Sequence, residues 1–471
     1  MKFIIFLWSI FFSSILYAIP MNDKSGLSLT EVDQIIKISE NSSIEVLQKV
    51  IREARKNNQK VTVYGSQHTQ GGHIFYNQGI ILNLSNLNNI QRLSQNIIRV
   101  QSGATWKQVI EFLNPLGLSV DIMQSDYDFS MGGTLSTNVH GWQVNKPPLI
   151  ASIRGFHILM ADGSVRYCNR QKNTDLFKSV IGGYGLLGVI IDVDLHVIHN
   201  HLYELKQWVI KTEDFLPFFK KEVQGNKKAA MFFGRFSLDR KNFLRKIAFR
   251  IYEDTEQQAK NQKLSEYRWV QSILNWFFSK TRKSDFLKKV RWEIENNFLA
   301  ERLFKSLSRN QLLYHSVDNY INTQEGYTDL LQEYFIPIEN FEKFIFSLRS
   351  LEKDMSDYLM NITIRHVQKD NESLLNYAPQ EMVCFVMFFR GPKTKDFDRK
   401  LSLMAQKMTD QALVLKGSYY LPYRPYQSKQ QFEKAYPRWR EFKNIKLIYD
   451  SSEVFFNQFY ENYFGEKLKQ D

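Results

Sequence analysis

Residues 124–141 read QSDYDFSMGGTLSTNVHG, and this stretch decides the fold. Small residues leave backbone N–H groups exposed, and consecutive N–H groups in turns form concave sites that hold phosphate. A glycine-rich stretch also has a simpler interpretation, a series of tight turns. The neighbouring segments of the chain distinguish the two interpretations.

Three further segments of similar composition lie beside predicted strands. GSQHTQGGH (65–73) follows the predicted strand Val61–Tyr64, QSGATW (101–106) joins a predicted strand to a predicted helix, and GGYGLLG (182–188) precedes another strand. Four such loops in one domain fit an elongated ligand with a pyrophosphate group better than they fit four unrelated turns.

The last of these segments also matches the G-x-G-x-x-G pattern of a dinucleotide site, through Gly183, Gly185 and Gly188. That pattern needs a helix after it, whose N-terminus receives the pyrophosphate. The residues from Val189 onward alternate in hydrophobicity and predict a strand. A Rossmann fold is therefore disfavoured, and these glycines are interpreted as sites of close approach by a ligand or by another part of the backbone.

Short strands with interposed helices predict an α+β chain. In the first 200 residues the predicted elements are helices at 42–57 and 106–113 and strands at 61–64, 79–84, 97–101 and 189–197. Further on, strands are predicted at 205–211, 229–236, 333–337, 362–367 and 382–390, and a helix at 395–415. We expect a first domain at 19–200, a second at 201–400 and a closing segment at 401–471.

The composition excludes several classes of protein. The chain has 471 residues with 43% apolar and 14% aromatic side chains, and its 22 Gly and 11 Pro are too few for a collagen-like or broadly disordered chain. Cys168 and Cys384 lie far apart, so neither a disulfide scaffold nor a metal site built from closely spaced cysteine pairs is expected. We predict no metal site.

The N-terminus resembles a secretory signal. Met1-Lys2 precedes an apolar run from Phe3 to Ala18, which is short for a membrane span. We predict a signal peptide at residues 1–18 and an exported protein, periplasmic or secreted. Because Leu16 is bulky where a small residue is preferred, an uncleaved membrane anchor remains the alternative.

The positive charge is concentrated in one part of the chain. The formal net charge is +13, and residues 235–309 hold 18 Lys and Arg against 9 Asp and Glu, with Trp269, Trp276 and Trp292 interleaved. We interpret about 235–310 as a basic, aromatic, helical insertion. It is either a solvated surface or a membrane-surface patch using interfacial Trp and cationic side chains. A nucleic-acid partner is not expected.

Five segments in order resemble a known family: GSQHTQGGH, VQSGATW, QSDYDFSMGGTLSTNVHG, ADGSVRYCNR and GGYGLLGVI. They are similar to the FAD-binding domain of the vanillyl-alcohol oxidase superfamily, nearest to its sugar, alditol and aldonolactone oxidases and the decaprenylphosphoryl-ribose oxidase. The resemblance is strong over 42–200 and weaker over the last 70 residues. It implies a PCMH-type FAD-binding domain of two α+β subdomains and an α+β cap domain, over 201–400, with a mixed or antiparallel sheet.

The resemblance also implies which residues hold FAD. They are Gly65, Ser66, Gln67, His68, Thr69, Gly103, Ser125, Gly132, Gly133, Thr134, Ser136, Asn138, His140, Gly141, Gly183, Gly185 and Val189. His68 stands where several relatives attach the flavin covalently, whereas others bind it non-covalently, and both alternatives stay open. His73 is interpreted as a loop residue and not as a second attachment site.

The candidates for the chemistry lie on cap strands and near the end of the chain. They are Glu333, Arg365, His366, Cys384, Tyr423 and Arg424, with Lys446 as a further polar candidate. A charged pair amid alternating apolar residues faces inward only if it is paired or functional, so Glu333 and Arg365 are either functional or a structural ion pair. Cys384 either faces the flavin or is a small core residue.

The resemblance implies an FAD-dependent oxidoreductase that takes a hydride from a CH–OH donor and is re-oxidised by O₂ or another acceptor. The donor is a sugar, alditol, aldonolactone or lipid-linked sugar. The chain departs from the decaprenylphosphoryl-ribose oxidase where Trp142 and Ile448 replace lysines and Ser451 replaces a proline, which argues against that specific reaction. The alternative function is a flavin-fold binding module without turnover.

Overall fold

A computed structural model describes residues 18–38, 44–266, 281–296, 306–319 and 325–465. The predicted signal peptide, apart from Ala18, lies outside the described residues. So do Trp269 and Trp276, and with them the core of the basic, aromatic segment. Within the described ranges, no helix combines the length and the apolar character needed to cross a membrane.

Nineteen strands are present in the described residues. They are β1 Ile19–Met21, β2 Thr30–Val32, β3 Gln34–Lys37, β4 Val61–Tyr64, β5 Ile80–Asn83, β6 Ile90–Arg92, β7 Ile97–Gln101, β8 Leu118–Val120, β9 Ile153–Leu159, β10 Val165–Cys168, β11 Val189–His199, β12 His201–Lys211, β13 Ala229–Phe236, β14 Lys246–Gln258, β15 Ser306–Ser308, β16 Tyr327–Pro337, β17 Leu359–Val367, β18 Met382–Pro392 and β19 Ser418–Tyr419.

The α-helices of the same residues are α1 Ile44–Lys56, α2 Trp106–Leu113, α3 Met131–Thr137, α4 Thr174–Val180, α5 Phe215–Phe219, α6 Asp285–Glu295, α7 Arg309–Leu313, α8 Phe341–Ser350, α9 Glu352–Met355, α10 Lys395–Val414, α11 Lys429–Ala435, α12 Trp439–Tyr449 and α13 Gln458–Phe464. The strands and helices predicted from periodicity over residues 42–211 are confirmed within a few residues at each end.

The first layer is a small parallel sheet in the order β3-β5-β4. Helix α1 packs on it through one apolar face, and its buried Leu47 and Ile51 belong to the same hydrophobic cluster as Val61 and Leu82 of the sheet. The helical spacing of these apolar residues places them on one side of α1. This sheet ends at the loop that begins with Gly65.

The second layer is an antiparallel sheet in the order β10-β9-β11-β7-β6, with β8 paired to the outer part of β11. Helix α2 begins at a capping box in which Thr105 and Gln108 each bond the other's backbone, which fixes where the chain turns from β7 into the helix. Strand β11 directly follows Gly188, so no helix follows the G-x-G-x-x-G segment. The two layers together form the expected pair of α+β subdomains.

The third layer is an eight-stranded sheet in the order β15-β12-β14-β13-β17-β18-β16-β19. All its pairings are antiparallel, as expected for the cap. Antiparallel strands alternate their side chains between the two faces, so every second residue of β13, β14, β16, β17 and β18 shares one face. That face covers the loops of the first two layers.

The prediction of a helical insertion at about 235–310 is wrong over Lys246–Gln258, which forms strand β14 in the interior of the third sheet. Ile247, Phe249 and Ile251 are buried on one face, while Arg250 projects from the other. The high charge of the segment hid this alternation. Helix α6 does lie in the window, but its Trp292 is buried, so it is not available as an interfacial anchor.

The closing segment returns to the first layer. The N–H of Val61 donates to the carbonyl of Val454, and Phe455 forms an isolated parallel bridge with Val61. The end of the chain is thereby attached to the strand that leads into the loop at Gly65. This connection joins two parts of the chain that are almost 400 residues apart.

Candidate active site

One face of the third sheet and the glycine-rich loops of the first two layers enclose a cavity of about 820 Å³. Fourteen of the residues proposed from sequence line it. They are Gly65, Ser66, Gln67, His68, Thr69, Ser125, Gly132, Gly133, Ser136, His140, Gly185, Glu333, Arg365 and Tyr423. Loops and cap strands far apart in sequence therefore meet at a single site.

The loop after β4 forms one wall of the cavity. None of the amide N–H groups of residues 66–69 donates to an acceptor among the described residues, and Gln67 takes a left-handed conformation with φ of 54°. The hydroxyl of Ser66 accepts a hydrogen bond of 2.8 Å from the N–H of Ser130, which ties this loop to the one before α3. Such a row of unpaired amides fits the phosphate groups of FAD.

Unpartnered polar atoms extend this wall. The hydroxyl oxygens of Thr69 and Ser102 line the cavity and are buried, yet neither has a hydrogen-bond partner in the described part of the chain. Buried hydroxyl groups are nearly always hydrogen-bonded in folded proteins. Together with the free amides they supply donors and acceptors along an elongated polar ligand, which is the requirement of the FAD pyrophosphate and ribityl chain.

Six residues proposed as cofactor contacts do not line the cavity: Gly103, Thr134, Asn138, Gly141, Gly183 and Val189. Gly103 and Gly141 permit close backbone approach, because a Cβ atom at either position would come within 1.9 Å of a carbonyl oxygen, that of Leu84 or Met123. Gly183 instead closes a turn by donating its N–H to Val180. A glycine that permits close backbone packing or a turn looks the same in the sequence as a glycine that contacts a ligand, so the sequence did not distinguish the two at these three positions.

The other three residues of this set have structural contacts. The Thr134 hydroxyl bonds carbonyls of its own helix, and the Asn138 amide donates to Asp370 at 3.1 Å. Val189 is fully buried in the hydrophobic cluster of the first layer. Thr134 thus stabilises helix α3, and Asn138 links this helix to Asp370 of the cap.

Glu333 lies at the centre of the catalytic candidates. Its carboxylate accepts from His140 Nε2 at 2.8 Å and from the Tyr423 hydroxyl at 2.5 Å, although it is only 4% exposed. Burial alone would raise the pKa of this carboxyl, but these two bonds and the charge of Arg365 hold it below its usual value. Glu333 is therefore an ionised group, with both oxygens hydrogen-bonded, beside the flavin loops, which are the glycine-rich segments 65–73 and 124–141.

The ionised state of Glu333 fixes the proton on its neighbour. Since a carboxylate only accepts, His140 carries a hydrogen on Nε2, and in the neutral ring Nδ1 then holds a lone pair. Nδ1 is buried and has no partner among the described residues. The rings of Phe335, Tyr377 and Tyr420 surround the imidazole at centroid distances of 5.2–5.8 Å and fix its orientation.

Arg365 is the cationic group of the same region. Its Nη2 donates to the hydroxyl of Ser125 at 2.6 Å, and its Nε is buried without a partner in the residues that the structure covers. The nearby Asp126 also lines the cavity, and burial raises its pKa to about 7 despite the charge of Arg365. Asp126 was not among the candidates predicted from the sequence, although an acidic residue within a glycine-rich loop was a usable signal.

Cys384 is a core residue. It is fully buried and does not line the cavity, and its sulfur donates to Glu333 at 3.4 Å. Burial raises the pKa of the thiol well above its usual value, and the charge of Glu333 adds to this. The thiol is consequently protonated, and it contacts Glu333 from the sheet face that it shares with Arg365, the residue opposite it in the register.

His140, Glu333 and Cys384 place ligand atoms within 4.8 Å of one another, a spacing that a metal ion could use. Coordination would need the thiolate form of Cys384 and free carboxylate lone pairs. Both Glu333 oxygens already accept short hydrogen bonds, and the thiol is held protonated. The group is therefore better described as a hydrogen-bonded network.

His366, Arg424 and Lys446 do not reach the cavity. His366 follows Arg365 directly, so strand alternation turns it to the opposite face, where it pairs with Glu381 at 2.7 Å. Arg424 pairs with Asp398 at 3.0 Å and does not face the donor site. Lys446 is buried against Asp450. The structure therefore gives none of the three a place in the cavity lining, because sequence spacing does not show which way each side chain points.

The departures from the decaprenylphosphoryl-ribose oxidase differ in importance. Trp142 lines the cavity, with its ring stacked 5.8 Å from that of His315. Ile448 is 74% exposed on α12 and has no connection with the site. Only the change at Trp142 therefore alters the space open to a donor.

Comparisons with known proteins agree with this geometry. The family model for an FAD binding domain matches residues 37–169, which hold most of the glycine-rich loops. The chain superposes on a solvent-stable cholesterol oxidase with a TM-score of 0.71 and 14% identity, covering 95% of this chain and 97% of that one. The chain carries an FAD-binding domain and is an FAD-dependent oxidoreductase. Its donors are CH–OH groups and its cofactor is FAD.

Curated relatives of the oxidoreductase are similar over most of its length or over about a third of it. L-gulonolactone oxidase of Mus musculus is 22% identical over 448 residues, which are 90% of this chain and 94% of the relative. D-arabinono-1,4-lactone oxidase of Yarrowia lipolytica is 26% identical over 187 residues, 37% of this chain and 34% of the relative. The first match includes the cap as well as the FAD-binding domain.

His73 makes the oxidoreductase sensitive to acid. It is buried, its Nε2 bonds the carbonyl of Tyr423 at 2.7 Å, and burial lowers its pKa to about 4. The unfolded chain protonates this ring near pH 6.5, whereas the folded chain does so only near pH 4. Stability therefore falls as pH drops through this interval. In a His73→Gln variant we expect roughly 2–3 kcal/mol less loss of stability between pH 7 and 4.5, measured by denaturant unfolding.

His199→Gln is the matched control, since His199 is exposed. That variant should keep the acid sensitivity of the wild type. Parallel curves for the wild type and His73→Gln across the whole interval would contradict the assignment.

Proposed function

We propose that the oxidoreductase takes its hydride from a sugar, an alditol, an aldonolactone or a lipid-linked sugar, and passes the electrons to O₂ or another acceptor. The names of two relatives, L-gulonolactone oxidase and D-arabinono-1,4-lactone oxidase, support the aldonolactones. The single observation that carries catalytic turnover is the ionised Glu333 held by His140 at the flavin loops. A binding module without turnover has no use for such a pair.

FAD, when bound, accepts the hydride from the donor carbon. The side chains must orient the C–H bond and take the proton of the donor hydroxyl. We assign the proton to Nδ1 of His140, a residue that lines the same cavity; this nitrogen is buried and unpartnered within the described ranges. The carboxylate of Glu333 then stabilises the imidazolium that forms, and Tyr423 holds the carboxylate in place.

The electrostatic role belongs to Arg365. Its guanidinium group lies on the cavity face of β17, bonded to the Ser125 hydroxyl of the flavin loop, and its Nε remains available to a donor oxygen. A fixed cation here stabilises negative charge that develops during the reaction. Aromatic side chains, among them Trp142, Phe233 and Tyr420, line the same cavity.

The test begins with colour. Purified protein should be yellow, and an anaerobic screen of sugars, alditols, lactones and lipid-linked sugars should find a donor that bleaches it. Colourless protein that FAD does not reconstitute would overturn the proposal. Yellow protein that no donor bleaches would favour the binding module.

We further propose a covalent bond between His68 and the flavin. His68 lines the cavity, and burial lowers its pKa to about 4, so its ring is neutral and carries a nucleophilic lone pair at neutral pH. We expect the flavin of the wild type to remain with the acid-precipitated polypeptide, and His68→Ala to release all of it into the supernatant. His73→Gln should retain it. Acid-released flavin in the wild type would end this proposal.

The proposal for location rests on the N-terminal sequence. The run from Phe3 to Ala18 supports export to the periplasm or secretion, with cleavage after Ala18, and the basic, aromatic segment supports contact with a membrane surface. N-terminal sequencing of the mature protein and its sedimentation with anionic vesicles test the two parts. An intact Met1 or no vesicle binding would contradict the corresponding part.

A further inference from the structure

The cavity has a second polar region away from the flavin loops. Arg235, Arg250, Arg291 and Glu295 all line it, together with Glu333 and Arg365. Arg235, Arg250, Arg291 and Glu295 lie in the segment at about 235–310 that the sequence predicts to be a basic, aromatic surface insertion. The structure instead turns them inward, because strand alternation places Arg235 of β13 and Arg250 of β14 on the cavity face.

The register of the third sheet fixes how far apart the two regions lie. Glu333 is opposite Val386, Val386 is opposite Thr363, and Thr363 is opposite Arg235. Three strand spacings of about 4.8 Å separate the first and last backbone positions of this row, or about 14 Å. All four residues line the same cavity, so one extended donor can reach both ends.

The carboxylate at the remote end of the cavity, Glu295, already forms ion pairs with two arginines. Glu295 accepts from Arg235 at Oε2 and from Arg291 at Oε1, both at 2.7 Å. These two guanidinium groups lower its pKa to about 2, although burial acts in the opposite direction. Each oxygen of this carboxylate thus already accepts from one guanidinium group, so a third cation nearby has no carboxylate oxygen to itself.

Arg250 is that third cation. Its guanidinium bonds two neutral oxygens, Gln207 Oε1 at 3.3 Å and the carbonyl of Glu295 at 2.5 Å, and it lies 5.5 Å from the centre of the Phe233 ring. No described carboxylate forms an ion pair with it. Burial lowers its pKa, and the charge of Arg235 adds to this effect. A buried cation of this kind is costly without a counter-ion.

We propose that the donor carries an anionic group, a carboxylate or a phosphate, at the end remote from the oxidised carbon, and that Arg250 with Arg235 binds it. The planar guanidinium fork matches both anions through paired hydrogen bonds. The inference deepens the proposed function and rests on it, since it names the class of donor for the same cavity. The neutral end of the donor then lies at His140 and Arg365.

Binding of charged and neutral probes to protein whose flavin has first been reduced chemically tests the anion site separately from turnover. The FAD-loaded protein is titrated with glucitol 6-phosphate, D-gluconate and glucitol by calorimetry under anaerobic conditions, so that one arm carries phosphate, one carboxylate and one no charge. We expect at least one anionic probe to bind ten-fold or more tightly than glucitol, with affinity that falls as salt is added. Equal binding of all three probes would overturn the inference.

Arg250→Gln should remove the advantage of the anionic probe over glucitol. Arg240→Gln is the matched control, because it removes the same charge from an exposed position. Arg250→Lys, which keeps the charge but loses the fork, should bind the anionic probe more weakly than the wild type, and it serves if the glutamine variant does not fold. An anionic preference that survives both Arg250 variants would overturn the assignment.

The two proposals fail in different ways. Arg250-dependent anion binding in a protein that no donor bleaches would overturn the proposed function and leave the anion site standing. Neutral alditols that bleach the flavin as efficiently as their anionic counterparts would overturn the anion site and leave the proposed function standing.

Discussion

Replacing Glu333 with glutamine should slow flavin reduction by the best donor by about 10²–10⁴-fold, with FAD still bound. The glutamine side chain keeps the size and hydrogen-bonding capacity of the original. It loses the negative charge that stabilises a protonated His140, and its amide can present a donor where the carboxylate presents only acceptors. The measurement is anaerobic stopped-flow bleaching of the flavin absorbance.

The control for this variant is Glu342→Gln, which makes the same change at an exposed position of helix α8. It should reduce flavin at the wild-type rate. The FAD content of both variants is compared by absorbance, so that a loss of cofactor is not counted as a loss of catalysis. A Glu333→Gln enzyme within three-fold of the wild-type rate would remove Glu333 from the proton path.

Replacing Lys446 with methionine should destabilise the protein by about 3–5 kcal/mol, since it leaves an uncompensated buried charge on Asp450. Both side chains of this pair are 0% exposed. Asp450 also accepts from the N–H groups of Val454 and Phe455, at 2.9 Å each, so it holds the closing segment against β4. Because β4 leads into the loop at Gly65, we expect weaker retention of FAD as well.

Urea unfolding monitored by circular dichroism measures the stability, and release of flavin fluorescence measures FAD retention. The control is Lys400→Met, which breaks an exposed pair of the same i,i+4 spacing with Asp396 on α10. That variant should lose far less stability than Lys446→Met, because exposed ion pairs contribute little. Equal losses from Lys446→Met and Lys400→Met would show that the buried pair is not what anchors the closing segment.

Local features of the sequence were sufficient for the FAD-binding layers. The capping box at Thr105, the alternation of β11 and the glycine-rich loops act over a few residues, and each element forms where its periodicity places it. The same local reasoning failed for β14. There the apolar Ile247, Phe249 and Ile251 occupy one face, and the inward position of Arg250 on the other face depends on a cavity built from other strands.

The sequence by itself determined that this chain has an α+β fold with phosphate-binding loops, because strand periodicity and turn composition are short-range properties. Only the tertiary structure decided which charged side chains meet. His140 and Tyr423 are 193 and 90 residues from Glu333 along the chain, and the register of the cap strands brings them together. One residue of register separates Arg365, in the cavity, from His366, outside it, because neighbouring side chains of a strand face opposite ways.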